Sequence, residues 1–117
     1  MRPEQLYLTD MLEAADAVAA FVTAHSAQSF EADDLTHSAV LMKLIIIGEA
    51  AANVSEPMRL RYPEPEWAAA KRMRNFAAHA YFAADWAIVW RTATVHVPEL
   101  RAQIAAILAT EFPEEAS

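Results

Sequence analysis

The sequence predicts an all-α protein, an antiparallel bundle of four to five helices in a single domain over residues 1–117. Three observations predict it. Alanine is abundant and there is one glycine, which favours helix, because Ala is the best helix former and strands prefer β-branched and aromatic residues. Apolar residues recur at i, i+3, i+4 and i+7 through several long segments. Proline and polar clusters separate these segments by short connections, which sets neighbouring helices antiparallel.

The first helix is expected from about Glu4 to about His25, with Leu8, Met11, Leu12, Ala15, Val18, Ala19 and Val22 on its apolar stripe. Asp10, Glu13 and Asp16 fall on the other side. Three acids invite a metal reading, but charges opposite an apolar stripe are the ordinary pattern of a solvated helix face. "SAQSFEADDL" reads as a polar connection in which Ser29, Asp33 or Asp34 caps the next helix.

The second helix runs to about Val54 or Ser55, and its middle, "AVLMKLIII", is apolar nearly all round. Such a helix is buried on several sides or buries one side in another subunit. Gly48 sits inside it; a mid-helix glycine costs about 1 kcal/mol against alanine, so close approach of a neighbouring element is the expected reason for it. Glu49 beside it reads either as a site residue or as an exposed acid. "EPMRLRYPEPEW" breaks the helical pattern with Pro57, Pro63 and Pro65. A third helix is expected from Pro65, through Trp67, to about His79 or Tyr81. A further piece covers about Asp85 to Val95, with Asp85 as a possible N-cap and a break or kink at Pro98. The last helix carries Leu100, Ile104, Ile107 and Leu108 on one stripe, and "PEEAS" reads as a frayed tail.

Composition narrows the function classes. The hydrophobic fraction is 56%, and so small a domain has much surface for its volume, so a partner surface is expected as well as a core. The chain has no cysteine, so it forms neither disulfides nor thiolate metal sites. The N-terminus carries acids where a signal peptide needs an apolar core, and the longest apolar stretch is short for a membrane span and contains Lys43 and Glu49. The expectation is a cytoplasmic protein with no membrane partner. A net charge of −7 weighs against broad charge-driven binding to nucleic acid. It leaves room for one local basic site: Arg59, Arg61, Lys71, Arg72 and Arg74 are five of the nine basic residues.

"RMRNFAAHAY" concentrates the chemistry: Arg72, Arg74, Asn75, His79 and Tyr81 lie within one short segment. On an ideal helix Arg74 and His79 stand about 140° apart, whereas Asn75 and His79 share a face, as do Arg74 and Tyr81. Arg74 and His79 meet at one substrate only if the helix ends or bends, if the arginine reaches round, or if a symmetric dimer joins two copies at one groove. Such a pair suits RNA cleavage without a metal. Histidine, with a reference pKa of about 6.5, takes the proton of an attacking 2′-hydroxyl or returns one to the leaving 5′-oxygen. Arginine holds the phosphate by two donors as negative charge builds. Asn75, Arg72 and Glu49 are candidate supporting or substrate-binding residues. The plainer reading pairs Arg74 with a surface acid, caps a helix end with His79 and packs Tyr81. Metal and cofactor chemistry find no motif: the four histidines are scattered, with no HExxH pair, Gly-rich phosphate loop or nucleophile elbow. Trp67, Trp86 and Trp90 read as core or interface anchors.

"RNFAAHAY" contains R-x4-H followed by x-Y, and resembles the signature of HepT-like proteins of the HEPN (higher eukaryotes and prokaryotes nucleotide-binding) superfamily. "IIIGEAAANVS" is similar to the family's Ile-Gly-Glu-Ala segment, "RYPEPEW" to its approach to the signature helix, and "VWRTATVHVPEL" to its closing segment. Ala80 stands where an acid or amide is common in the family, and Phe76 and Ala77 make the signature less polar than in many members. The resemblance implies a HEPN-like all-α bundle that forms a homodimer, or a higher oligomer, with two R-x4-H motifs facing a shared cleft. It implies a metal-independent endoribonuclease toxin, with Arg74 and His79 catalytic. The implied partners are RNA and a cognate minimal nucleotidyltransferase antitoxin, which modifies Tyr81 with AMP. The alternative is a non-catalytic HEPN scaffold for the nucleotidyltransferase.

Overall fold

The computed structural model describes residues 3–113. Its helices are α1 (Glu4–Val22), α2 (Ala27–Ala32), α3 (Asp34–Asn53), α4 (Glu56–Arg61), α5 (Trp67–Ala83), α6 (Trp86–Arg91) and α7 (Val97–Glu111), with a π-helical turn at Thr92–His96 joining the last two. The described residues are helices and connections, with no strand among them. The all-α expectation holds: the long rods are α1, α3, α5 and the continuous α6–π–α7.

Side-chain bonds at the corners fix the directions. The Ser55 amide, just past α3, donates to Glu4 Oε1 at the start of α1 (2.6 Å). At the other end His25, just past α1, meets Thr36 Oγ1 in the first turn of α3 (3.3 Å). The two helices are therefore antiparallel. α5 also runs against α3: Gly48, late in α3, meets Arg74 in mid-α5, while His37, early in α3, stacks on Trp86 just beyond α5.

Four expectations need correction. The polar connection after α1 contains the helix α2. Six residues are too few to hold a helix alone. Here Ser26 and Ser29 form a reciprocal capping box, and Phe30 is fully buried, which contributes about 1.5–3 kcal/mol. The proline-rich stretch likewise contains α4, capped by the Ser55 hydroxyl, with Pro57 in its first turn and Met58 buried. The helix carrying the Arg–His cluster starts at Trp67 rather than Pro65, because the first helical bond runs from the Ala70 amide to the Glu66 carbonyl. It also runs on to Ala83. At Pro98 the rod does not break. The Val97 amide bonds the Thr92 carbonyl in a π turn, which takes up the missing amide and the ring of the proline that follows.

The core is one continuous cluster. Leu8, Met11 and Val18 of α1 meet Val40, Leu44 and Ile47 of α3, Ala77 and Ala80 of α5, and Ile104 and Ile107 of α7. Ala19, expected on the α1 stripe, is exposed, and Ala14 takes a buried place instead. α3 has 20 residues and by length and composition is long enough to cross a membrane, although the sequence reading makes its apolar stretch short for a span. In the bundle it is the rod that packs against both α1 and α5. Of the "PEEAS" end, residues 114–117 lie outside the described part.

Candidate active site

Gly48 places the site. A Cβ there would lie 2.6 Å from the Arg74 backbone nitrogen and 3.0 Å from the Arg74 Cβ. Only a hydrogen fits, so α3 and α5 touch backbone to backbone at Arg74. The expectation of close packing at this glycine is met, and the element that approaches is the helix carrying the Arg–His cluster.

One residue further along α3, the Glu49 carboxylate accepts a hydrogen bond from Arg74 Nη1 in an ion pair that stays partly exposed. Glu49 is therefore solvent-facing, as one reading expected, and it pairs with the candidate catalytic arginine. Glu49 also lines a cavity of about 300 Å³ with Tyr7, Ile45, Ile46 and Asn53. Tyr81 lies seven residues beyond Arg74, on the same stripe. Tyr81 is 51% exposed, and its ring sits edge-on to Phe82 and Trp86, with centroids 5.2 and 6.4 Å away.

His79, Asn75 and Arg72 form a second stripe. All three are exposed, and no hydrogen bond or ion pair holds them among the described residues. His79 caps no helix end, because α5 continues a further turn before closing. The closing residue, Ala84, has φ 55°, and the Ala84 and Asp85 amides return to the carbonyls of Tyr81 and Ala80. The structure thus brings Glu49, Arg74 and Tyr81 onto one seam. It leaves His79, with Arg72 and Asn75, on another side of an unbroken helix. Neither a helix end nor a bend joins Arg74 to His79 within one chain.

Two features fall outside the sequence expectations. His37 is buried, its ring stacked on Trp86 at 3.7 Å, and its Nδ1 has no hydrogen-bond partner. Its spacing with Val40, Leu41 and Leu44 put it on an apolar stripe, a signal present in the sequence. The second is a cavity of about 340 Å³ between α5 and the π–α7 rod, built from segments distant in sequence. Among the described residues, no three His, Asp or Glu side chains come together as a metal site. Asp16 of the acidic trio instead pairs with Arg101 at 2.9 Å.

These features define a class: an all-α bundle that presents an arginine, a histidine and a tyrosine to solvent from one helix. Residues 11–107 match the family described as ribonuclease HepT-like, and the chain belongs to that HEPN-type family. It is 34% identical to a probable ribonuclease HepT of Thermococcus cleftensis over 100 residues, covering 86% of this chain and 91% of that one. It is 30% identical over 111 residues to a chain of Caldanaerobacter subterraneus subsp. tengcongensis whose name gives RNase as a provisional activity, covering 95% and 99% of the two. No solved structure matches with significance.

Proposed function

We propose that the protein is a metal-independent endoribonuclease that works as a homodimer, the toxin of a pair whose antitoxin is a minimal nucleotidyltransferase. The observation that carries this reading is Arg74, fixed at its backbone by Gly48 and at its guanidinium by Glu49, on the same straight helix as an unpartnered His79. The arginine is positioned before substrate arrives, which lowers the cost of organising the site. The two side chains point about 140° apart, so a second copy facing the first supplies the missing partner across the groove.

In this reading the phosphate displaces Glu49 from the guanidinium fork. An imidazole removes the 2′-hydroxyl proton, the 2′-oxygen attacks phosphorus, and the P–O5′ bond breaks as the leaving oxygen takes up a proton. The products are a 2′,3′-cyclic phosphate and a 5′-hydroxyl. Neutralisation follows when the antitoxin attaches AMP to the Tyr81 oxygen, placing an anion on the Arg74 stripe. All of this takes place in the cytoplasm.

The Glu49–Arg74 pair also favours a second reading, a non-catalytic scaffold in which a carboxylate permanently occupies the arginine. Incubating purified protein with RNA in EDTA separates the two. Cleavage that is lost in His79→Ala supports the nuclease; intact RNA at every protein concentration supports the scaffold.

A further inference from the structure

The cavity between α5 and the π–α7 rod contains neither Arg74 nor His79, and nothing above uses it. Phe76 and Leu100 are among its apolar lining, and the ionisable residues Arg72, His96, Glu66 and Glu99 line it as well. None of these four side chains has a hydrogen bond or ion pair among the described residues. Its volume, about 340 Å³, lies within the range of small-molecule sites.

The chemistry of the rim narrows the occupant. A simple anion meets two carboxylates, and a simple cation meets a guanidinium. A purely apolar ligand leaves four ionisable groups unused. The fitting ligand has a flat apolar face, an edge rich in hydrogen-bond donors, and an anionic group at one side. A nucleotide has all three. Its base would lie on Phe76, as unstacked RNA bases do on aromatic rings. Glu66 and Glu99 would accept from ring and exocyclic N–H groups, and Arg72 would take the phosphate. Arg72 also shares the His79 stripe, two helical turns or about 10 Å away, which is nucleotide-scale spacing from the proposed chemistry.

We infer that this cavity is a base-binding subsite for the RNA substrate, selecting a base with a donor-rich edge, guanine above all, over uracil. The inference rests on the ribonuclease reading. The test is titration of the intact protein with guanosine 3′-monophosphate and uridine 3′-monophosphate, followed by calorimetry and by amide chemical shifts. Guanylate should shift amides around Arg72, Phe76 and Glu99 and bind about tenfold or more tightly than uridylate. Arg72→Ala should weaken both ligands, while Glu99→Gln should erase the preference. Phe76→Leu, milder than Phe76→Ala for a side chain that packs on the core, should weaken both ligands without unfolding the chain. No binding at millimolar guanylate, shifts confined to Glu49 and Arg74, or an unchanged preference in Glu99→Gln each overturns the subsite. Selective binding without RNA cleavage removes the nuclease, and with it the substrate role, and leaves a guanine-selective nucleotide site. Cleavage whose base preference ignores Glu99→Gln removes the subsite alone.

Discussion

Gly48 and Arg74 meet backbone to backbone: a methyl group on the glycine would sit 2.6 Å from the Arg74 amide nitrogen. Gly48→Ala should therefore damage the protein, although alanine is the better helix former by about 1 kcal/mol. The new Cβ meets main chain, which cannot rotate away, and overpacking of this kind costs about 1–3 kcal/mol. The net expectation is a small loss of stability and a larger loss of RNase activity, as α5 moves from α3 and Arg74 from Glu49. Urea unfolding and cleavage rates, measured side by side, check it. A more stable variant with full activity would contradict the close contact.

Arg74→Ala and His79→Ala should each lower cleavage by about 10²–10⁴-fold with the fold intact, since both side chains are exposed. If the two residues act across a dimer, mixing the inactive variants should recover activity: one of the two symmetry-related Arg–His pairs in the shared groove then keeps Arg74 from one chain and His79 from the other. Mixed chains that form dimers yet remain dead would place both residues in the same protomer's site. Sedimentation should show a dimer at micromolar concentration, with exposed Met42, Ile88 and Phe82 as candidates for the apolar face.

The fold was legible because the long helices announce themselves by period. Leu100, Ile104, Ile107 and Leu108 were expected on one stripe, and all are buried. The short helices α2 and α4 were not legible, since they depend on Phe30 and Met58 reaching the core. No local propensity encodes that contact. For the site, the sequence marked Gly48 as a close approach but left the approaching residue open. Glu49 and Arg74 are 25 residues apart, and nothing in their local spacing pairs them. The cavity was invisible for the same reason: Arg72 and His96 come from different rods.

Ala84 sits in the left-handed region, φ 55°, where it ends α5 with the bonding pattern that glycine usually serves. The left-handed backbone costs an L-residue about 1–2 kcal/mol, while glycine gives back about 0.5–1 kcal/mol through its freer unfolded chain. Ala84→Gly should thus stabilise the protein by about 0.5–1 kcal/mol and raise Tm by a few degrees. The variant should retain its activity, and a lower Tm would refute the account of this helix end.

Acid should weaken the corner where α7 returns to the α4–α5 connection. Hydrogen bonds from Arg61 and then Tyr62 hold the Glu111 carboxyl below the usual glutamate range, with Tyr62 Oη 2.9 Å from Oε1. Asp33, the N-cap of α3, is also lowered, first by the Thr36 amide. A carboxyl with a depressed folded pKa stabilises above its unfolded pKa and loses that contribution as pH falls through the folded value. Urea midpoints should therefore drop as pH falls below the ordinary carboxylate range of about 4. Glu111→Gln should flatten part of the slope. An unchanged slope in that variant would mean the corner carries no pH linkage.

Tyr81 provides the sharpest test of regulation. The residue is half exposed on the Arg74 stripe, its ring edge-on to Trp86, so a modifying enzyme would reach it without unfolding α5. In the proposed transfer, the phenol oxygen would attack the α-phosphate of ATP and pyrophosphate would leave. The attached phosphate would then compete with RNA for the Arg74 guanidinium, and the purine would block entry. Inhibition of this kind would need no change of fold. Tyr81→Phe should keep the contacts with Phe82 and Trp86, keep cleavage activity, and escape neutralisation by the nucleotidyltransferase. Intact-mass and peptide analysis after co-expression should find adducts in multiples of AMP on Tyr81 and none in Tyr81→Phe. A fully neutralised complex with unmodified Tyr81 would instead mean that the partner inhibits by covering the groove.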